Sequence, residues 1–208
     1  MRLALLPMYV GVFICTQLLT FPSLMAQAPS ITQFQLSSQT VGKYEKLEIT
    51  CDLSATYTNP YDYAQVRLSG TFTSPGGQAV EAEGFFMEPY TGPNSNGQVG
   101  MSGNGEFHVR FAPWEEGIWS FTLKVEDTEG ESGGIQGSFT CTAPNAGNQG
   151  FVRTGNSNYL EFDEGGQFVP VGQNIGWANG NPYRDYKRWL DSLATQDANF
   201  FRFCICDW

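Results

Sequence analysis

The chain has 208 residues, of which 41% are hydrophobic and 14% aromatic, and that apolar content excludes disorder for the chain as a whole. Eleven Lys and Arg stand against 21 Asp and Glu, a formal net charge of −10; the scattered cations exclude a nucleic-acid partner, whose phosphates need clustered Lys and Arg. The length admits one sandwich-sized domain with a remainder, but not a sandwich followed by a full barrel of about 250 residues.

Residues 1–26 carry one cation, Arg2, ahead of a long apolar run without an acidic residue, and small residues follow at Ala26 and Ala28. This is the pattern of a secretory signal peptide, with cleavage expected after Ala26 because cutting after Ala28 would place Pro29 beside the scissile bond. A transmembrane anchor is the competing reading. Pro7, Gly11 and Gln17 interrupt the run and no cationic stop-transfer flank follows, so a secreted or periplasmic location is expected, with no membrane association after cleavage.

From 27 to 143 apolar and polar residues alternate in short runs. Leu47, Ile49, Cys51 and Leu53 share one parity, as do Phe107, Val109 and Phe111, and then Trp119, Phe121, Leu123 and Val125. A period of two marks strands with one buried face and one wet face. Turn signals separate them at Asn59-Pro60, Ser74-Pro75-Gly76-Gly77, Gly92 to Gly105, Glu116-Gly117 and Glu129-Gly130. About seven strands at this spacing predict an all-β immunoglobulin-like sandwich.

Few residues in this stretch point to chemistry. His108 takes the polar parity of its strand and is expected at the surface. Glu126, Asp127, Glu129 and Glu131 around Gly130 lack the spacing of a calcium loop and read as a polar hairpin tip, so no metal and no cofactor are expected. The cluster Tyr57, Tyr61, Tyr63, Phe85, Phe86 and Tyr90 has two readings: exposed rings stack on sugars, whereas aromatic residues of a sandwich usually fill its core. Loss of Cys15 with the signal leaves Cys51, Cys141, Cys204 and Cys206. Export permits disulfides. Cys51 and Cys141 both take the apolar parity of their strands, which makes a Cys51–Cys141 bridge one expectation and two buried free thiols the other. Cys204 and Cys206 are too few for zinc and poorly placed to bridge each other.

Residues 144–150 read as a linker, after which the pattern changes. Phe151 to Arg153 and Tyr159 to Phe162 read as short strands, with a turn at Asp163-Glu164-Gly165-Gly166. The apolar run Phe168 to Gly172 has the profile of a strand buried on both faces. A helix follows, capped by Asn181 with Pro182 in its first turn, and Tyr186, Trp189, Leu190 and Leu193 form one apolar stripe. Asn199 to Cys206 reads as a second strand, completing a strand–helix–strand unit. In that strand Phe201, Phe203 and Ile205 share the face expected to pack on the helix, and Arg202 shares the other with Cys204 and Cys206. A buried Arg202 would need acceptors or carboxylates around it; an edge-strand Arg202 reaching water is the alternative. Asn174 and Trp177 end the first strand, and Asp207 and Trp208 end the second, at the face where barrels build their active sites.

The segments KYEKLEITCDLSATYTNPYD, RFAPWEEGIWSFTLKVED and GFVRTGNSNYLEFDEGGQFVPVGQNIGWA together resemble a type of bacterial protein in which an immunoglobulin-like domain of undefined function precedes a cellulase-like glycoside-hydrolase barrel of clan A. The resemblance covers almost all of the chain after residue 26 and is specific for the first module. It implies that residues 151–208 are the N-terminal hairpin and first strand–helix–strand unit of a truncated (β/α)8 barrel, whose missing remainder would be the intramolecular partner of these residues.

The resemblance further implies a retaining hydrolase with an acid/base Glu and a nucleophile Glu on later strands. Arg202 stands where the clan places an Arg that supports the nucleophile, and Asn174 and Trp177 line the sugar site by the same analogy. Retaining chemistry needs two carboxylates about 5–5.5 Å apart, and only Asp207 lies at the right face, alone. No catalytic residue is therefore assigned, and the substrate-binding candidates are Arg202, Asn174, Trp177 and Asp207. The function expected is that of an accessory domain plus a partial catalytic domain of a secreted glycoside hydrolase acting on polysaccharide or oligosaccharide, inactive as it stands. The alternative is a non-catalytic sandwich that binds carbohydrate or serves as a structural brace.

Overall fold

A computed structural model describes residues 27–94, 98–155, 158–178 and 180–203. The expected signal peptide, and Cys204, Cys206, Asp207 and Trp208, lie outside them.

The chain begins with β1 (Ile31–Leu36), β2 (Thr40–Gly42), β3 (Leu47–Leu53), β4 (Val66–Thr73) and β5 (Ala79–Met87). A small hairpin of β6 (Tyr90–Thr91) and β7 (Gly100–Met101) leads to β8 (Glu106–Phe111), β9 (Gly117–Asp127), β10 (Gly130–Glu131) and β11 (Ile135–Thr142). Beyond them lie β12 (Val152–Thr154), β13 (Leu160–Phe162), β14 (Gln167–Phe168), β15 (Gly172–Ile175), the helix α1 (Pro182–Ala194) and β16 (Phe200–Phe203).

The expected fold class is overturned on two points. The first module is one nine-stranded sheet, ordered β1-β3-β8-β5-β4-β9-β11-β2 with β10 attached to β9, and not two separate sheets. The join is β5: Ala79 to Glu83 pair with β4, whereas Gly84 to Met87 pair with β8. The single sheet curls so that its apolar face closes on itself. Phe72 stacks on Phe111 across that fold at 4.0 Å, and Phe34 meets Phe121 edge-on at 5.7 Å. The alternation read from the sequence is what fills the interior, with Leu47, Ile49, Phe72, Val109, Trp119 and Leu123 fully buried.

Secondly, no (β/α)8 barrel start is evident among the described residues. A strand–helix–strand unit forms, with β15 and β16 parallel and Asn174 opposite Arg202, but among the described residues these strands pair only with each other and α1 contains no buried residue. The hairpin strands β12, β13 and β14 make a separate antiparallel sheet. The apolar run 168–172 is no doubly buried strand: Val169 and Val171 are exposed. Pro170 sits in its middle and has no N–H to give to a ladder. The Asn199 side chain stands in, donating to the Val169 carbonyl at 3.0 Å and accepting from the Val171 N–H at 2.8 Å. The helix forms as its signals require, the Asn181 side chain accepting from the Arg184 N–H at 3.1 Å. Among the described residues no helix is long and apolar enough to cross a membrane.

Cys51 and Cys141 are both buried and both free thiols; no bridge joins them. Cys51 pairs with Phe34 and Phe107, while Cys141 pairs with Gly117 and Val41 in the other half of the sheet. Burial pushes the Cys51 thiol up to about 12.

Candidate functional site

The loop from Ser54 to Gln65, between β3 and β4, lies across one end of the curled sheet and is held by its own polar groups. Asn59 Oδ1 accepts from the Tyr61 N–H at 3.2 Å, Asp62 Oδ1 from the Ala64 N–H at 2.9 Å, and Gln65 Oε1 from the Asn59 N–H at 3.1 Å. The first two are Asx-type bonds of the kind that Asn and Asp turns form. They fix the rings that the loop carries.

Two adjoining cavities open beneath this loop and share Pro60, Phe86 and Phe107 as a common wall. The larger, of about 430 Å³, has Tyr57 and Leu53 and the polar Asp52, Thr56 and Glu106 among its lining residues. The smaller, of about 90 Å³, is flanked by Tyr61, Tyr63 and Phe85. Phe86 is the partition, packing edge-on against Phe107 at 5.1 Å and Tyr61 at 5.2 Å. Its ring lies so close to Gly105 that a Cβ there would come within 2.1 Å of it, so only glycine lets the partition stand.

The aromatic cluster divides between the two readings made of it. Phe86 and Tyr57 lean on the core, and Tyr57 donates to Asp127 at 3.1 Å. Burial first and that bond second raise the Tyr57 hydroxyl to about 12. Phe85 lies on the outer face, covered by the Arg110 guanidinium at 4.7 Å and stacked on His108. Tyr61, Tyr63 and Tyr90 instead turn more than half of their surface to solvent. Tyr63 is nonetheless pinned, its hydroxyl donating to the Gly84 carbonyl at 2.9 Å. The Tyr61 hydroxyl is raised by desolvation and by the nearby Glu88 carboxylate. The site therefore combines fixed ring faces with carboxylate- and hydroxyl-bearing residues in its lining.

Among the described residues the other sequence candidates form no comparable site. Asn174 and Arg202 are brought side by side across β15 and β16, both exposed, and Trp177 is 70% exposed with a left-handed φ of 52°. Without a barrel interior the acceptors that a buried Arg202 would need are not required. His108, expected at the surface, is buried: Phe85 covers it, and Glu48 and Glu106 approach its ring nitrogens at 3.6 and 3.9 Å. Parity placed it on the outer face correctly; the neighbours in register on β3 and β5 cover it. Among the described residues no cluster of His, Cys, Asp and Glu could hold a metal ion.

A second polar constellation ties the sheet to the hairpin. Glu164, in the β13–β14 turn, accepts from the Lys43 ammonium and, at 2.7 Å, from the Tyr44 hydroxyl. The Tyr44 ring packs edge-on against Phe151 at 5.4 Å. Asn148 adds a bond to Glu45 at 2.8 Å. Glu164 lies more than a hundred residues from Lys43 and Tyr44 in sequence, so no local pattern announces their meeting.

Residues 40–126 match the family model described as a domain of unknown function, DUF5060. No curated protein matches the chain. Among solved structures it is similar to a Bacteroides vulgatus protein described as a "putative glycoside hydrolase", with a TM-score of 0.59 and 21% identity over 79% of this chain. This chain spans only 28% of that protein's length. The likeness is one of fold.

Proposed function

We propose that the curled sheet is a non-catalytic module of an exported, carbohydrate-acting protein of the glycoside-hydrolase kind, and that it holds polysaccharide in the cleft under the Ser54–Gln65 loop. The observation that carries this reading is the pair of solvent-facing rings Tyr61 and Tyr63, fixed in place before any ligand arrives. Exposing aromatic surface costs hydrophobic free energy, and rings so held present flat apolar faces beside hydroxyl and carboxylate partners. A sugar ring offers the complement, one face of C–H groups and an edge of hydroxyls. The match to the Bacteroides vulgatus protein supports the carbohydrate context. Purified chain run through gels containing polysaccharide should be retarded by at least one polymer, and Tyr61→Ala with Tyr63→Ala should restore free mobility. Retardation that survives the double substitution would remove the cleft from the reading.

The Glu164 constellation favours a second role, bracing the hairpin. Hydrogen bonds from Lys43 and Tyr44 hold the Glu164 carboxyl below its ordinary range, and the bond to Glu164 raises Lys43. A lowered carboxylate contributes stability that is present above its unfolded value and lost as pH falls through its folded one; the raised Lys43 maintains the tie into the alkaline range. The amide of Glu164, which donates to Gln149 at 3.0 Å, is therefore expected to exchange slowly at neutral pH. Its protection should fall in acid, below the usual carboxylate range. Glu164→Gln should show the weaker protection at neutral pH already, and equal exchange in the two proteins would exclude the brace.

A further inference from the structure

Resting on the proposed carbohydrate-binding role, we infer that the cleft selects an uncharged saccharide chain and engages at least two consecutive sugar rings, one in each cavity. Charge supports the first part. Asp52 and Glu106 line the larger cavity, Glu88 lies beside Tyr61 at the smaller one, and neither cavity has a Lys or Arg among its lining residues. Arg110, on the outer face beside Phe85, is committed to Glu48 and to the face of that ring. A uronate or sulfated sugar would bring its anion against these carboxylates with no lining Lys or Arg to meet it, in a half-enclosed site where water screens poorly. A neutral sugar gives the same carboxylates hydroxyl donors, and hydrogen bonds to charged acceptors are the stronger kind.

The partition supports the second part. Phe86 and Pro60 stand between the cavities and contribute to both. A single ring can occupy only one side, whereas a chain crossing the partition meets Tyr57 on one side and Tyr61 with Tyr63 on the other. Each side provides aromatic surface, and linking two such contacts in one ligand gains from effective concentration.

The test uses the intact chain with named polymers, two neutral (galactomannan and mixed-linkage β-glucan) and two acidic (polygalacturonate and alginate). At least one neutral polymer should retard the protein about tenfold more strongly than either acidic one at low ionic strength, with the gap narrowing as salt rises. Replacing both lining carboxylates, Asp52→Asn with Glu106→Gln, should bring the acidic polymers closer to the neutral ones. The distant pair Glu81→Gln with Glu131→Gln, which leaves the cleft intact, should not, and this separates a local effect from the overall negative charge. Trimers cut from the neutral polymer should compete at concentrations about tenfold below those of the free monosaccharide.

Equal or tighter binding of an acidic polymer by the unmodified chain would overturn the inference while leaving carbohydrate binding intact. Monosaccharide competing as well as trimer would overturn the two-ring part. Binding to none of the four polymers would overturn the carbohydrate reading itself. Near-ultraviolet circular dichroism of each variant shows whether its core remains packed.

Discussion

Trp119→Ala should be among the most damaging single substitutions in the sheet, lowering unfolding free energy by about 3–5 kcal/mol. For a chain of this size that corresponds to a melting point lower by roughly 10–15 °C. Trp119 is fully buried, and its ring lies 5.1 Å from Phe111 on β8 and 6.2 Å from Phe139 on β11. It therefore fills the space between the two halves of the curl, a position that cannot collapse unless strands move. Trp114 packs edge-on against it at 4.9 Å from the loop that leads into β9. The indole N–H also donates to the Glu115 carbonyl at 2.8 Å, so alanine removes both the volume and the partner of a backbone oxygen. Trp119→Phe separates the two contributions. It keeps most of the ring and should cost only about 1–2 kcal/mol. Urea unfolding monitored by circular dichroism gives both values, and a loss below about 1 kcal/mol for alanine would mean that Trp119 does not bridge the halves as described.

What the sequence made legible was local, and what it concealed depended on partners. Strand parity placed Leu47, Ile49, Trp119 and Leu123 inside because an alternating run can bury only one face. The cap at Asn181 and the turn at Gly165-Gly166 were equally readable, since each depends on residues a few positions apart. Period two, however, says nothing about which strands pair. The change of partner within β5 was therefore invisible, and a single curled sheet has the same alternation as two facing sheets. The strand–helix–strand pattern was read correctly as a unit and wrongly as part of a barrel, because the same periodicity arises whether or not further strands flank it. The site was half legible. Its aromatic residues stood out by composition, but the division of Tyr61 and Tyr63 from Phe86 and Tyr57 follows the path of the Ser54–Gln65 loop, which is set by bonds such as Asn59 to Tyr61. His108 and the Lys43–Tyr44–Glu164 tie depend on contacts made across the fold and had no local signature.

The change of partner within β5 leads to the second large effect. Gly84 is the first residue of β5 to pair with β8, directly after Glu83 has paired with β4. A Cβ at Gly84 would lie 2.7 Å from Leu68 Cγ and 2.8 Å from its Cβ and Cδ2. Leu68 is buried at 2% exposure, with Phe107 and Val109 in the same core, so it has no free volume into which to retreat. Gly84→Ala should therefore act as an overpacking change and cost about 1–3 kcal/mol, even though alanine favours an extended chain more than glycine does. Gly84→Val adds two methyl groups in the same place and should exceed that range. The strain has one other outlet, which is to open the curl by moving the Gly84–Met87 segment away from β4. That movement would carry the Gly84 carbonyl away from the Tyr63 hydroxyl. Loss of stability should therefore be accompanied by loss of the fixed position of Tyr63. Leu68→Ala in the Gly84→Ala background provides the decisive comparison. Leu68→Ala alone should cost about 2–5 kcal/mol through its cavity; because it removes Cγ and Cδ2 while keeping the Cβ, the double variant should be relieved of part of the clash and be more stable than the sum of the two losses predicts. Strict additivity would mean that the close approach of β5 to β4 at Gly84 is not what holds the curl in shape.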